Sequence, residues 1–441
     1  MLKKALVIST IFLLAQNAFA SNSANFSQII TDSNVNKSGI SVVIKDLETG
    51  RDEYKLHANR PINPASTQKI ISYRTAEFVL GKDYEITTKL YKNKNNEYII
   101  KLGADPLLKS DDLKKLVKNI EPDNNGIYID DSIIDTNEWG EGWQWDDDLN
   151  PLMPKFSAYN LDNNLIKVNI MPTTNGAPAT ITQDKFYPLS FVNETVTGNQ
   201  NKIKLERKNY IAPDMIFVSG SVKTLTSKNI PINNMKRYFK LSLERILGDE
   251  KIDYSGVYKF KKLTPEFTEI ASISHSINDV KKTILVNSNN MAAESLFKIA
   301  AAKVTGEGSF ENGLKILNEF CTANNINIKD IKIVDASGVS KNNLLTAEFL
   351  TSFLANPANE DLKSALPIAG EGTLNNRMTY MADKLHAKTG TLSDTSSIVG
   401  YVDAKSGKTY AFSILICDPK SKNADKKMLE EYLIREIYTK L

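Results

Sequence analysis

Apolar positions along the chain fall into three regimes. Near the start, Ile40 to Lys45 reads as a strand, followed by a turn at Glu48-Thr49-Gly50 and a second strand candidate, Glu53-Tyr54-Lys55-Leu56. A buried helix comes next: Ile70, Ile71, Tyr73, Ala76, Phe78, Val79 and Leu80 follow the start signal Asn63-Pro64-Ala65 and end at Gly81. From about residue 86 to 265 the pattern changes to short β-like runs broken by Asn/Lys turns. These are Ile86 to Tyr91, Tyr98 to Leu102, Ile127 to Asp130, Ile166 to Ile170, Ile203 to Glu206 and Met215 to Val218, with one amphipathic helix over about Met235 to Leu247. The last third returns to long periodic segments. Two helical runs, Ile277 to Val286 and Met291 to Ala302, precede two strands, Thr395 to Asp403 and Lys408 to Ile416, and a terminal helix over Asp425 to Leu441. Strands from both ends of the chain are expected to share one antiparallel sheet with helices on its faces.

The first residues are of a different kind. Lys3 and Lys4, the apolar stretch Ala5 to Leu14 and Ala18-Phe19-Ala20 form a signal-peptide pattern, so residues 1–20 are expected to be removed on export to the periplasm. No other segment is apolar enough for a transmembrane anchor. The terminal helix carries Leu429, Leu433, Ile437 and Leu441 on one stripe, which suits packing on the sheet better than lying on a membrane. A net charge of +3 argues against nucleic acid as the partner. Cys321 and Cys417 could pair or stay free, and the sequence leaves both open.

Chemistry enters through three short motifs in one order: Ser66-Thr67-Gln68-Lys69, Ser288-Asn289-Asn290 and Lys388-Thr389-Gly390. Each alone is weak, since Ser-x-x-Lys recurs at Ser295-Leu296-Phe297-Lys298. Context separates the two. Ser66 lies at a helix start, where its N–H is free to face a developing oxyanion, and Lys69 sits one turn along on the same face. A lysine in a partly desolvated pocket can lose its proton near neutral pH and act as base. Ser295 and Lys298 fall inside a helix and read as ordinary helix residues. Ser288-Asn289-Asn290 separates two helices and could point a hydroxyl and an amide into a cleft, or simply cap the second helix. Lys388-Thr389-Gly390-Thr391 opens a β segment, where the glycine marks a close approach by another chain. No Gly-x-Ser-x-Gly, His-Glu-x-x-His or Walker-type motif competes, and His57, His275 and His386 read as structural.

In order and context these motifs resemble the penicillin-recognising serine enzymes. The chain is similar to the class C low-molecular-mass penicillin-binding proteins, the D-alanyl-D-alanine carboxypeptidase/endopeptidase family. The likeness extends to Gly103-Ala104-Asp105-Pro106-Leu107, Gly142-Trp143-Gln144-Trp145-Asp146-Asp147, Met291-Ala292-Ala293-Glu294, Asp335-Ala336-Ser337-Gly338-Val339-Ser340 and Gly372-Thr373-Leu374. It departs where the family commonly has a double glycine and this chain has Gly103-Ala104, at Gly370-Glu371-Gly372, which looks one residue short, and at the extra acid Asp148. The resemblance implies an α+β penicillin-recognising fold whose large, mainly β insertion separates the first two motifs, 222 residues apart. It divides the chain into a catalytic part over 21–85, an insertion over 86–265 and a second catalytic part over 266–441.

By the same resemblance, Ser66 is the nucleophile, Lys69 its base and Ser288 the proton relay to the leaving amine. Asn290 would bind the substrate's amide backbone. Lys388, Thr389, Gly390 and Thr391 would hold the terminal carboxylate and the oxyanion, and Asp147 the ammonium of a stem-peptide side chain. The implied partners are peptidoglycan stem peptides and β-lactams as covalent inhibitors; no metal or cofactor is implied. A serine β-lactamase and a non-catalytic envelope binding protein of the same fold are the alternatives.

Overall fold

The computed structural model describes residues 24–208, 212–254 and 260–441; the expected leader lies outside them. Strands β1 (Ile40–Asp46) and β2 (Asp52–Leu56) come first, before the helix Lys69–Leu80. The middle of the chain contributes β3 (Glu85–Lys92), β4 (Tyr98–Lys101), β5 (Ile127–Asp130), β6 (Leu165–Met171), β7 (Thr180–Gln183), β8 (Ser190–Thr197), β9 (Lys202–Lys208), β10 (Ala212–Val222), β11 (Thr226–Pro231) and β12 (Thr268–Ser276). After the helices Ile277–Leu285, Asn290–Thr305, Phe310–Ala323 and Ala347–Ala355 come β13 (Leu385–Thr391), β14 (Thr395–Asp403), β15 (Thr409–Cys417) and the helix Asn423–Lys440.

Both chain ends build one five-stranded antiparallel sheet in the order β13-β14-β15-β1-β2, as the terminal strand patterns predict. Its central strands β1, β14 and β15 are buried on both faces because both are covered, while the edge strand β2 is largely exposed. On one face Ile40, Val42, Ile44, Ile398, Phe412 and Ile414 pack under Leu429, Leu433, Ile434 and Ile437 of the C-terminal helix, which therefore lies on the sheet. On the other, Val43, Val399, Tyr401 and Leu415 belong to the core that also holds Ile70, Ile71 and Ala76 of the Ser66 helix. Among the described residues no helix is long and apolar enough to cross a membrane.

The middle segment forms three smaller sheets, β12-β3-β4-β5, β8-β10-β9 and β11-β6-β7. β12 pairs antiparallel with β3, the first strand of this segment, although the sequence puts residues 266–276 with the returning catalytic part. The strand that leaves the segment thus closes on the strand that enters it, bringing Ile277 back beside Tyr84, whose carbonyl accepts its N–H at 2.9 Å. Ala104 stands at φ +53°, the left-handed region that favours glycine, at the position of the double glycine noted above. Neither cysteine is paired: Cys321 is buried, with burial pushing its thiol pKa up to about 11, and Cys417 is half-buried.

Candidate active site

Four segments far apart in sequence converge on Ser66. The residue stands in the 3-10 turn Ala65–Gln68 just before the helix Lys69–Leu80, so its own N–H lies in a first turn without an intrahelical acceptor. The turn is clamped from several sides. Asn63 Oδ1 accepts from the Ala65 N–H at 2.8 Å, and the hydroxyls of Thr67 and Ser397 both donate to the Pro64 carbonyl, at 2.7 and 2.6 Å. Ala65 is held at φ +48°, a local strain that such clamping can sustain.

Gly390 explains why this clamp needs a glycine. A Cβ there would lie 2.8 Å from the Ser66 nitrogen, 2.9 Å from Ala65 Cβ and 2.5 Å from Ser397 Oγ. Strand β13 therefore runs against the turn at backbone distance. Residues two apart on a strand share a face, so Lys388 points the same way as Gly390. The Lys-Thr-Gly motif does not open a strand, as the sequence suggests, but completes one that begins at Leu385 and forms the edge of the sheet.

Two serine–lysine pairs result. Lys69, fully buried, donates from Nζ to Ser66 Oγ at 2.8 Å, to Asn290 Oδ1 at 2.6 Å and to the Ser337 carbonyl at 2.6 Å. Burial brings its pKa down to about 7, against the opposing pull of the Asp335 and Glu294 carboxylates. Lys388, also fully buried, donates to Ser288 Oγ at 2.9 Å and to the Thr389 carbonyl at 2.9 Å. Its pKa lies well below the usual lysine value, because of burial first and the nearby Lys69 second. Ser288 sits at φ +60° in the break between two helices, and Asn289 caps the second, its Oδ1 accepting from the Ala292 N–H at 2.8 Å.

The serines of both pairs line one cavity of about 620 Å³, together with Asn290, Thr389, Gly390 and Thr391. Asp147 lines it too, with Trp143 and Asn150. Of the three neighbouring acids, Asp146 is exposed and Asp148 lies 3.5 Å from Arg207, which leaves Asp147 as the one on the cavity wall. Its carboxyl is held above the usual range, by partial burial and then by Asp146. The three tryptophans divide: Trp139 and Trp143 belong to a small core with Met153, Phe156 and Met291, while Trp145 is 81% exposed.

The same arrangement gives two of the expected substrate-binding residues partners within the protein. Lys388, expected to hold the terminal carboxylate, donates to Ser288 Oγ and lies behind the cavity wall, which its motif lines with Thr389, Gly390 and Thr391. Thr389 Oγ1 is itself anchored, donating to Thr373 Oγ1 at 2.7 Å. Asn290, expected to bind the substrate backbone, gives its oxygen to Lys69 and one amide hydrogen to the Leu152 carbonyl at 2.7 Å. It joins the middle segment to Lys69. The second Ser-x-x-Lys behaves as the helix context predicts. Ser295 Oγ accepts from Asn160 Nδ2 at 2.9 Å, and Lys298 bridges to Asp135 at 2.5 Å, away from the cavity.

The profile of the D-Ala-D-Ala carboxypeptidase 3 (S13) family matches residues 22–434. The chain belongs to that family. A D-alanyl-D-alanine carboxypeptidase of Actinomadura sp. (strain R39) is 26% identical over 421 residues, covering 85% of this chain and 77% of its own length. The carboxypeptidase DacB of Haemophilus influenzae is 24% identical over 410 residues, covering 85% and 86%. In fold, the chain matches penicillin binding protein 4 (dacB) from Haemophilus influenzae with a TM-score of 0.83 at 21% identity, over 94% of this chain and 99% of the other. The protein is thus a peptidase hydrolase of the D-Ala-D-Ala carboxypeptidase type with the penicillin-binding-protein fold.

Several residues that shape this carboxypeptidase site carry no role in the sequence reading. Asp335 is buried and fully engaged: Oδ1 accepts from the Gly338 N–H at 2.7 Å and Asn343 Nδ2 at 2.9 Å, and Oδ2 from the Ser340 N–H at 2.6 Å and Trp143 Nε1 at 2.8 Å. It thereby holds the loop that presents the Ser337 carbonyl to Lys69 and ties that loop to the tryptophan segment. Gly338, at φ +78°, passes so close that a Cβ would lie 2.0 Å from the Ala65 carbonyl oxygen. The available signal was the string Asp335 to Ser340 itself, a polar, glycine-containing loop without a turn's usual exposure.

Proposed function

We propose that the protein is a serine-type D-Ala-D-Ala carboxypeptidase that works through an acyl-enzyme on Ser66. The observation that carries this reading is the double serine–lysine arrangement, with both lysines buried and both serines on one cavity. Lys69 Nζ, uncharged, takes the Ser66 hydroxyl proton as Oγ bonds to the carbonyl carbon between the last two D-alanines. The oxyanion is received by the N–H groups of Ser66 and Thr391. Collapse breaks the C–N bond, and the leaving amine takes its proton from the Ser288 hydroxyl, which regains one from Lys69, directly or by way of Lys388, so that Lys69 is uncharged again. Thr389 and Thr391 receive the terminal carboxylate. Water then adds to the ester carbonyl and gives a proton to Lys69; the C–Oγ bond breaks, Lys69 returns that proton to Ser66 Oγ, and the shortened peptide departs with a free carboxyl group.

The same steps apply to a D-alanyl crosslink, giving endopeptidase activity, and to a β-lactam, whose ring amide is opened and whose tethered leaving group slows hydrolysis. A solved relative of this fold carries a β-lactam in its complex, which supports that inhibition. The setting we infer is the periplasm, reached through the leader expected over residues 1–20. Asp147 would pair with the side-chain ammonium of the stem peptide. The test is product analysis on a stem pentapeptide: wild type releases D-alanine, while Lys69→Ala and Ser288→Ala each lose roughly 10²–10⁴-fold in rate, the usual worth of general acid–base steps. Release at the wild-type rate by either folded variant would break the proposed proton path.

A further inference from the structure

Glu294 is 2% exposed and lies one helical turn beyond Asn290, so the two side chains share a helix face. Asn290 touches Lys69 directly; Glu294 does not. Its carboxylate instead caps the Asp335–Ser340 loop. Oε1 accepts from the Ala336 N–H at 3.0 Å and the Ser337 N–H at 2.9 Å, and Oε2 accepts from the same Ala336 N–H at 3.1 Å. The carbonyl of that same Ser337 is 2.6 Å from Lys69 Nζ. A buried carboxylate is costly unless hydrogen-bonded and charge-paired, and Lys69 is the cation whose electrostatic influence meets it here.

We propose that Glu294 is the positioning residue of the proton-transfer site: it fixes the Ser337 carbonyl on Lys69, and its negative charge sets the pH at which Lys69 can accept the Ser66 proton. This rests on the proposed role of Lys69 as base. The charged groups around Lys69 come from three elements besides its own helix: Glu294 from the helix Asn290–Thr305, Asp335 from the loop and Lys388 from β13. Burial disfavours the protonated lysine and Asp335 and Glu294 favour it, while Lys388 is itself held down by burial and then by Lys69. The Glu294 carboxyl is itself raised by burial and by Asp335, so the lysine and the glutamate titrate as a coupled pair.

The geometry separates two contributions. Glu294→Gln can keep an amide oxygen in the place of Oε1, which contacts both loop N–H groups, while it loses the charge and the weaker Oε2 contact to the Ala336 N–H. Glu294→Asp keeps the charge but is one methylene too short to reach both N–H groups. The experiment measures the second-order rate of Ser66 acylation by a labelled penicillin between pH 5 and 9, on the full chain, with thermal melting to confirm folding. In Glu294→Gln the acid limb moves to lower pH by about one unit, the size expected for removing one nearby opposite charge, and the plateau falls less than about tenfold. In Glu294→Asp the limb stays and the plateau falls by roughly tenfold or more, since the loop is no longer held. An acid limb at the wild-type pH in Glu294→Gln, or a wild-type profile in Glu294→Asp, overturns the proposal. Absence of Ser66 acylation in the wild type would instead overturn the function on which it rests.

Discussion

Adding one methyl group at Gly390 tests the seating of the nucleophile more directly than removing any catalytic side chain. In Gly390→Ala the new Cβ would stand 2.8 Å from the Ser66 nitrogen, 2.9 Å from Ala65 Cβ and 2.5 Å from Ser397 Oγ. Real Cβ atoms do not approach backbone nitrogen so closely, so β13 or the Ser66 turn must give way by several tenths of an ångström. The Ser397 hydroxyl cannot absorb this freely, because it is hydrogen-bonded to the Pro64 carbonyl. Overpacking of this kind typically costs about 1–3 kcal/mol of stability. The effect on rate should be larger, because the displaced nitrogen is one of the two proposed oxyanion donors. Misplacing one such donor is typically worth about 10²–10³-fold. The assay is the second-order rate of acylation by a chromophoric or fluorescent penicillin, beside a denaturant melt on the same sample. The variant should fold, lose stability within the stated range and acylate about 10²–10³-fold more slowly. Acylation within about threefold of wild type would refute the reasoning, since it would mean that strand and turn have slack, or that the Ser66 N–H is no oxyanion donor.

Other changes probe other parts of the account. Asp147→Asn should lower kcat/KM roughly ten- to a hundredfold on a muropeptide carrying a free side-chain ammonium, as a charge-assisted contact of about 1.5–3 kcal/mol implies, and leave penicillin acylation nearly unchanged; parallel losses on both would make Asp147 structural or catalytic. Lys388→Ala should slow free-acid and C-terminally amidated substrates by similar factors, because the ammonium sits on Ser288; a loss confined to free-acid substrates would restore direct carboxylate binding. Ala104→Gly should leave activity alone and raise stability by up to about 1 kcal/mol in a denaturant melt by relieving the left-handed alanine at φ +53°, with a destabilised variant showing that no strain is held there.

What the sequence made legible was local. The Ser66 turn, the break at Ser288 and the apolar strands near both ends each announce themselves within a dozen residues. The termini could be joined into one sheet because strand patterns stand at both ends of the chain with helical runs to cover them; that β1 is buried on both faces emerges only in the fold. The strands of the middle segment were harder. β8 and β12 are largely exposed or half-buried, and Ser190–Thr197 and Thr268–Ser276 carry Thr, Ser, Asn and Glu among their apolar residues, so no clean period of two stands out. The site's supporting contacts were the least visible, because they join distant positions. Lys69 meets Asn290 across 221 positions and Ser337 across 268, and no local pattern encodes either meeting. The setting of Lys388 was hidden for the same reason: the charge of a lysine can be read from sequence, but its complete burial against Ser288 cannot. Asp147 was separable from its neighbours only once Arg207 had been placed beside Asp148.

The central claim is that Ser66, activated by Lys69, is the residue that becomes acylated. Incubating the full chain with a labelled penicillin, digesting it and mapping the modified peptide by mass tests this most directly. The account predicts one adduct, on Ser66, absent from a folded Ser66→Ala variant. An adduct on Ser288 or Ser295, or labelling that persists in Ser66→Ala, would contradict it.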